Sequence, residues 1–255
     1  MSLFHVLILG IIEGITEFLP VSSTGHLILA TNLLGITETE FVKSFAIAIQ
    51  GGTILSVIFL YWKQLFTNFE IMKRIAAAFI PTAVVGLVFY KLIKKFLLGN
   101  SIVVMVTLFL GGIFLIVFEL RHREKNSDTH NLAHIPYPRA MMIGVFQALA
   151  VIPGVSRSAT TILGGLSLGI KRKTIVEFSF LLAVPTLLAA TALDLVKSSH
   201  SFTSSEWGYI AIGSFVSFAV GILSIKFFLE FIKKFNLVAF GFYRILAAVL
   251  FWYFV

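Results

Sequence analysis

The chain has 255 residues, 58% hydrophobic and only 13% charged, with a net charge of +8 and a mean hydropathy of +0.98. A soluble domain is nearer half apolar and about a quarter charged, so the excess calls for a bilayer as solvent, crossed by segments of roughly 20 apolar residues. The basic residues lie between apolar runs, which favours positive-inside placement and attraction to anionic lipid or substrate over a nucleic-acid partner, and the lack of cysteine excludes disulfides, thiolate catalysis and Cys-ligated zinc.

Met1–Ile12 has no basic leader or small-residue cleavage site and is read as mature sequence. The first apolar region, Leu3–Leu34, is interrupted by Glu13-Gly-Ile-Thr-Glu17-Phe-Leu-Pro20-Val-Ser22-Ser23-Thr24-Gly25-His26. Backbone broken in this way cannot face lipid, because its N–H and C=O groups would lack partners; it is buried in protein or lines a wet cavity. The region therefore reads as a re-entrant helix–break–helix hairpin. Glu13 and Glu17 are four apart and share a helix face, where they repel, and burial in a membrane raises that cost. A divalent cation, Mg²⁺ or Ca²⁺, would relieve it, since these ions take carboxylate, hydroxyl and water oxygens. Pro20 ends the first half-helix, Ser22, Ser23 and Thr24 supply hydroxyls, and His26 supplies a group for proton transfer. The blander reading is that the carboxylates are neutral or paired with arginine and that the hydroxyls cap the second half-helix.

Three spans follow, at about Phe41–Trp62, Ile75–Tyr90 and Ser101–Leu120, and then a polar linker, Arg121–Arg139. A second broken region, Ala140–Ile170, carries Pro153-Gly154-Val155-Ser156-Arg157-Ser158-Ala159-Thr160-Thr161. A glycine turn feeding a helix start presents free N–H groups and the positive end of the helix dipole. Arg157 adds a fork of donors, and Ser156, Ser158 and Thr161 add hydroxyls, so the element reads as an oxyanion cradle best suited to phosphate. Alternatively Arg157 pairs with Glu13 or Glu17 and pins the hairpins together; both hold if the ion pair forms when substrate leaves. Three more spans close the chain, at about Ile175–Val196, Trp207–Phe228 and Leu237–Val255. Arg244 lies inside the last, with either a carboxylate or an anionic ligand as its partner. Gln50 and Gln147 are candidate cavity residues. Lys171-Arg172-Lys173 reads as a charge flank, and His5, His122, His130, His134 and His200 as solvated.

The expected fold is an all-α integral membrane protein of about six spanning helices plus two re-entrant helix hairpins, arranged as an inverted-topology repeat. It forms a single membrane domain, 1–255, with halves 1–120 and 140–255 around a linker, 121–139. A hairpin returns to its starting side and three spans do not, so the halves begin on opposite faces and the hairpins meet between them. Local echoes agree: Pro20-Val21-Ser22-Ser23 with Pro153-Gly154-Val155-Ser156, and Lys94-Lys95-Phe96 with Lys233-Lys234-Phe235. Five Lys/Arg fall on the side of the termini and thirteen on the other, with Arg157 and Arg244 inside the membrane. The positive-inside rule then puts the linker in the cytoplasm, and the termini and first hairpin on the outer, periplasmic side.

Two carboxylates, an arginine cradle, serine nucleophile candidates and a histidine together suit metal-assisted phosphoryl hydrolysis. At these motifs the sequence resembles the BacA/UppP family of undecaprenyl-diphosphate phosphatases. The resemblance extends to Phe178-Ser-Phe-Leu-Leu-Ala-Val-Pro185 and Ala192-Leu-Asp194 and covers the whole chain. It implies removal of the terminal phosphate of undecaprenyl diphosphate in the bacterial plasma (inner) membrane, recycling the lipid carrier for peptidoglycan, with an association with bacitracin resistance. The family's glutamate pair falls on Glu13 and Glu17, its motif serine on Ser23, its histidine on His26, and its phosphate-binding stretch on Ser156, Arg157 and Thr161. One departure is Ala159-Thr160, where many members are expected to carry Gly-Ala. The expected catalytic set is Ser23, His26, Glu17 and Arg157. Ser156, Arg157, Ser158, Thr161 and Ser22 are expected to bind substrate, and Glu13 and Glu17 to bind the cation. Ser23 attacks or orients water that attacks, and His26 moves the proton. The expected partners are undecaprenyl diphosphate and membrane lipid, with no nucleic acid and a possible homodimer. The rival reading is an inverted-repeat transporter or lipid-phosphate flippase, which would need only binding groups.

Overall fold

The computed structural model describes residues 1–88, 101–124, 129–198 and 202–254. Among these residues there are ten α-helices and no strand, only an isolated bridge between Thr129 and Ile170. Helices α1 (Leu3–Thr16) and α2 (Ser23–Leu33) form the first hairpin. Helices α3 (Glu40–Thr67), α4 (Phe69–Val88) and α5 (Ser101–Arg121) follow. The second hairpin is α6 (Tyr137–Ala148), a 3₁₀ turn at Leu149–Val151, and α7 (Arg157–Ser167). Helices α8 (Arg172–Ser198), α9 (Ser204–Lys234) and α10 (Val238–Phe254) complete the chain.

Five of these helices are long and apolar enough to cross a membrane: α3, α4, α5, α8 up to Asp194, and α9. The sixth expected span, α10, is apolar but shorter, at 17 residues. The protein is therefore an all-helical, multi-pass membrane protein. Several helices outrun the apolar segments that announce them, because polar caps set their ends. Thr39 caps α3 by accepting from Val42 N at 3.2 Å, and Thr203 and Glu206 form a capping box at the start of α9.

The expected linker is shorter and better packed than its polarity suggests. Arg121 still belongs to α5, and Tyr137 to Arg139 already belong to α6. Between them a 3₁₀ turn, Leu132–His134, buries Leu132, and Ile135 is also buried; Arg74 donates to the Ile135 carbonyl at 2.7 Å. Two apolar anchors and one backbone acceptor thus tie the segment down. His122 departs from its solvated reading, stacking on Phe118 with its Nε2 buried. Lys91, Lys94, Lys95, Phe96, Lys125, His200 and the end of the second expected span lie outside the described residues.

The helices pair in a pattern that repeats when α1–α5 are exchanged with α6–α10. Helix α1 packs along α9, and α6 along α4. Helix α3 contacts α9, and α8 contacts α4. Helices α3 and α8 pack on each other, as do α5 and α10. Small residues carry the close crossings. A Cβ on Gly14 would press on Val220 and the Ser217 carbonyl, and one on Gly144 would collide with the Ala78 carbonyl. Between helices in lipid, van der Waals packing takes over the role that the hydrophobic effect has in water. One end of the bundle gathers Met1, Ile36, Phe41 and Phe202. The opposite end gathers Arg74, Ile135, Glu119, Glu124 and Arg172. Where the hairpins meet, an aromatic core includes Phe18 edge-on to Phe180 at 5.4 Å.

Candidate active site

The site is built from the two hairpin breaks. Helix α1 ends at Thr16, with Glu17 as its C-cap, and the chain turns through Pro20. Ser22 then adopts φ 71°, the one positive φ of a non-glycine residue among the described residues. That conformation aims its carbonyl at His26 Nδ1, 2.8 Å away. Ser23 is the first residue of α2. In the second break, Gly154 takes φ 83° against α5. A Cβ there would collide with Thr107 Oγ1 and the Val104 backbone, so glycine is required by both conformation and space. Thr107 anchors the turn by donating to the Pro153 carbonyl at 2.7 Å. Ser156 caps α7, accepting from Ala159 N at 3.2 Å. The N–H groups of Arg157 and Ser158 are left facing outward from the helix start.

The two helix starts meet at one carboxylate. Ser23 Oγ donates to Glu17 Oε2 at 2.5 Å. Arg157 Nη2 pairs with Glu17 Oε1 at 3.2 Å, while its Nη1 donates to the Ser179 carbonyl at 2.8 Å. Ser158 Oγ donates to the Leu19 carbonyl at 2.8 Å, tying the breaks together a second time. Ser156 Oγ lies 3.0 Å from Ser158 Oγ. Thr161 is one turn further on, and its hydroxyl donates back to the Arg157 carbonyl at 2.7 Å. Of the two readings of Arg157, the structure therefore contains the ion pair with Glu17.

Glu13 lies one turn below Glu17 and is fully buried. Its Oε1 accepts from Thr53 at 3.5 Å, and its Oε2 has no hydrogen-bond partner among the described residues. An orphaned buried oxygen beside a second carboxylate, with hydroxyls around both, is an all-oxygen donor set of the kind that suits a hard divalent cation. No cluster of three or more His, Cys, Asp and Glu side chains occurs among the described residues. Such a cation would therefore rest on two carboxylates, with hydroxyl, water or substrate oxygens completing its shell.

His26 and Ser23 make no hydrogen bond to each other. Its Nδ1 faces the Ser22 carbonyl, and its Nε2 lies 2.7 Å from the Tyr243 hydroxyl. The group in contact with the Ser23 hydroxyl is Glu17. Ser22 is buried, its side chain making no cap, and Thr24 is exposed.

Several residues that sequence reasoning did not place complete the site. Thr53 supports Glu13, Ser179 orients Arg157, and Tyr243 faces His26. Arg244, only 2% exposed, has no carboxylate partner among the described residues and donates to backbone instead. Its acceptors are the Thr107 and Gly154 carbonyls at 3.1 Å and those of Pro20 and Leu108 at 3.4 Å. It thus clamps one hairpin break to the other, and Gly111 leaves the room for its guanidinium. A lone arginine inside an apolar span was the only signal, and its acceptors are far away in sequence. Gln147 bonds Thr82 and Thr186 on neighbouring helices, each at 3.0 Å. Arg172 is more than a charge flank, reaching the buried Glu119 at 2.5 Å.

A lateral apolar groove of about 280 Å³ opens beside the first break, lined by Ile15, Leu19, Val21, Phe227, Phe240 and Tyr243 among others. Its mouth lies between α1, α9 and α10.

The family described as bacitracin resistance protein BacA matches residues 6–250. The chain belongs to this family. It is 53% identical to an undecaprenyl-diphosphatase of Aquifex aeolicus over 251 residues, 98% of each chain. It is 49% identical to one of a Sulfurihydrogenibium species, covering 99% of this chain and all of that one. A Campylobacter jejuni undecaprenyl-diphosphatase is 48% identical over 254 residues, covering 99% of this chain and 94% of that one.

Proposed function

We propose that this BacA-family protein hydrolyses undecaprenyl diphosphate to undecaprenyl phosphate and inorganic phosphate, returning the lipid carrier to envelope-polymer synthesis. The observation that carries the reading is the contact of Ser23 and Arg157 with the two oxygens of Glu17, where two helix starts converge. A binding site alone has no use for a hydroxyl hydrogen-bonded to a base, which is why hydrolysis is preferred to transport.

The substrate's terminal phosphate takes the place of Glu17 at Arg157, held also by the N–H groups that open α7. The Ser23 hydroxyl either attacks the terminal phosphorus or holds the water that does. In both routes the proton passes to Glu17 as the new P–O bond forms and the bond to the bridging oxygen breaks. The leaving group is the lipid monophosphate, and in the covalent route water then cleaves the Ser23 phosphoester, releasing inorganic phosphate and restoring the hydroxyl. His26 sits on the groove side of the break, where it can hold or move a proton near that group. Arg244 keeps the two helix starts at their separation, which is the positioning part of catalysis. A divalent cation held by Glu13 and Glu17 would neutralise phosphate charge.

The positive-inside count supports termini and first hairpin on the outer face of the bacterial plasma membrane, with the Arg74–Glu119–Arg172 end of the bundle in the cytoplasm. The polyprenyl chain enters sideways, from lipid, through the groove beside Leu19 and Val21.

The test is phosphate release from undecaprenyl diphosphate by protein purified in detergent. Arg157→Ala is expected to lower the rate by roughly 10²- to 10³-fold while leaving the thermal unfolding midpoint near that of the parent. A near-normal rate in that variant would remove Arg157 from the centre. Release that stops with chelator and returns with Mg²⁺ or Ca²⁺ supports the cation. Release that survives chelation takes the metal role from Glu13 and Glu17.

A further inference from the structure

His26 is held from both sides of its ring. The Ser22 carbonyl brings no proton, so Nδ1 carries the N–H in their 2.8 Å contact. Nε2 is then the lone-pair nitrogen of a neutral imidazole, and the Tyr243 hydroxyl, 2.7 Å away, donates to it. The two rings lie 4° from parallel with centroids 5.4 Å apart. The carbonyl that fixes this arrangement belongs to Ser22, whose strained φ of 71° persists only because its surroundings hold it.

The phenol has a second face. Tyr243 is 45% exposed and lines the lateral groove together with Leu19, Val21 and Phe240. One side chain therefore stands between the basic nitrogen of His26 and the route by which an apolar chain reaches the centre. A chain lying in the groove would rest against the phenol.

We propose that Tyr243 is a positioning and chain-selecting residue: its hydroxyl holds the His26 Nε2 lone pair until a long polyprenyl chain seated in the groove turns the phenol aside. The proposal rests on the phosphatase reading above. With the groove empty, His26 is capped and idle. A long chain against Leu19, Val21 and Phe240 displaces the ring and leaves Nε2 facing the reacting diphosphate. A short-chain diphosphate fills too little of the groove to do so, and His26 stays capped.

The experiment compares kcat/KM for undecaprenyl diphosphate and geranyl diphosphate in the same detergent, for the parent, Tyr243→Phe and Tyr243→Ala. Loss of one hydrogen bond at the cap is expected to reduce the preference for the long chain by roughly threefold to tenfold, through a gain on the short substrate. Tyr243→Phe removes only a hydroxyl, so its unfolding midpoint should match the parent's, and it decides the matter if Tyr243→Ala folds poorly. An unchanged preference in folded Tyr243→Phe overturns the proposal while leaving the phosphatase reading intact. A parent protein that releases phosphate from neither substrate overturns both.

Discussion

Both carboxylate oxygens of Glu17 are engaged, one by the Ser23 hydroxyl and one by Arg157. Glu17→Gln preserves the shape but removes the base and leaves Arg157 without its counter-charge. We expect phosphate release to fall by at least about 10²-fold, and Ser23→Ala to fall comparably. Because the two act as a unit, the double variant should lose little more than either single one; initial rates test this, and losses that multiply would separate the two residues. Arg157→Lys should not rescue function. One ammonium cannot span the Ser179 carbonyl and Glu17 as the guanidinium fork does, so at least a roughly tenfold loss in rate is expected. Glu13, Glu17 and Arg157 were legible in the sequence because a charge within an apolar run has few structural uses. Ser22, Ser23 and Thr24 were not separable by residue type. Only the phase of α2 assigns them: Ser23 starts the helix against Glu17, while Thr24 is exposed. Thr53, Ser179 and Tyr243 are ordinary residues of apolar helices, with partners 22 to 217 positions away, and nothing local marks them.

The two hairpin breaks are the elements on which the centre depends, and each hinges on one unusual backbone position. Gly154→Ala forces a Cβ into Thr107 at φ 83°. It should lower stability by about 1–3 kcal/mol, seen as a drop in thermal midpoint, and should reduce phosphate release by displacing the start of α7. A midpoint and rate equal to the parent's would show that the break tolerates a side chain. Both breaks were readable from proline, glycine and serine interrupting an apolar run. Helix ends were not, because polar residues extend a helix beyond its apolar core: α3 runs to Thr67, through Lys63 and Gln64. The segment between α5 and α6 read as a polar linker from its charges, whereas its two buried apolar residues, Leu132 and Ile135, decide how it packs.

Over the whole molecule, the exchange of α1–α5 with α6–α10 explains why a chain with so few charges can bring them together. The helix order made that repeat legible by counting. The ties between halves were not, since they pair residues with no sequence relation: Arg244 with Pro20 and Gly154, and Arg172 with Glu119. Glu119→Ala removes the buried one of the two carboxylates that Arg172 meets, leaving it Glu124 alone, at the end of the bundle away from the termini. A stability loss of about 1–3 kcal/mol is expected, read as a lower unfolding midpoint, with turnover per folded molecule preserved. A matching fall in turnover would mean that this end communicates with the hairpin breaks. The pair between Glu17 and Arg157 has a further consequence, for emptying the centre after each cycle. Glu17 is leashed to the guanidinium by its own helix, and so returns to it at a far higher effective concentration than any dissolved anion can reach. As inorganic phosphate loosens, the carboxylate slips back behind it. On the phosphatase reading Arg157 is thereby occupied before the next anion arrives, so phosphate already in the surroundings competes less well for it.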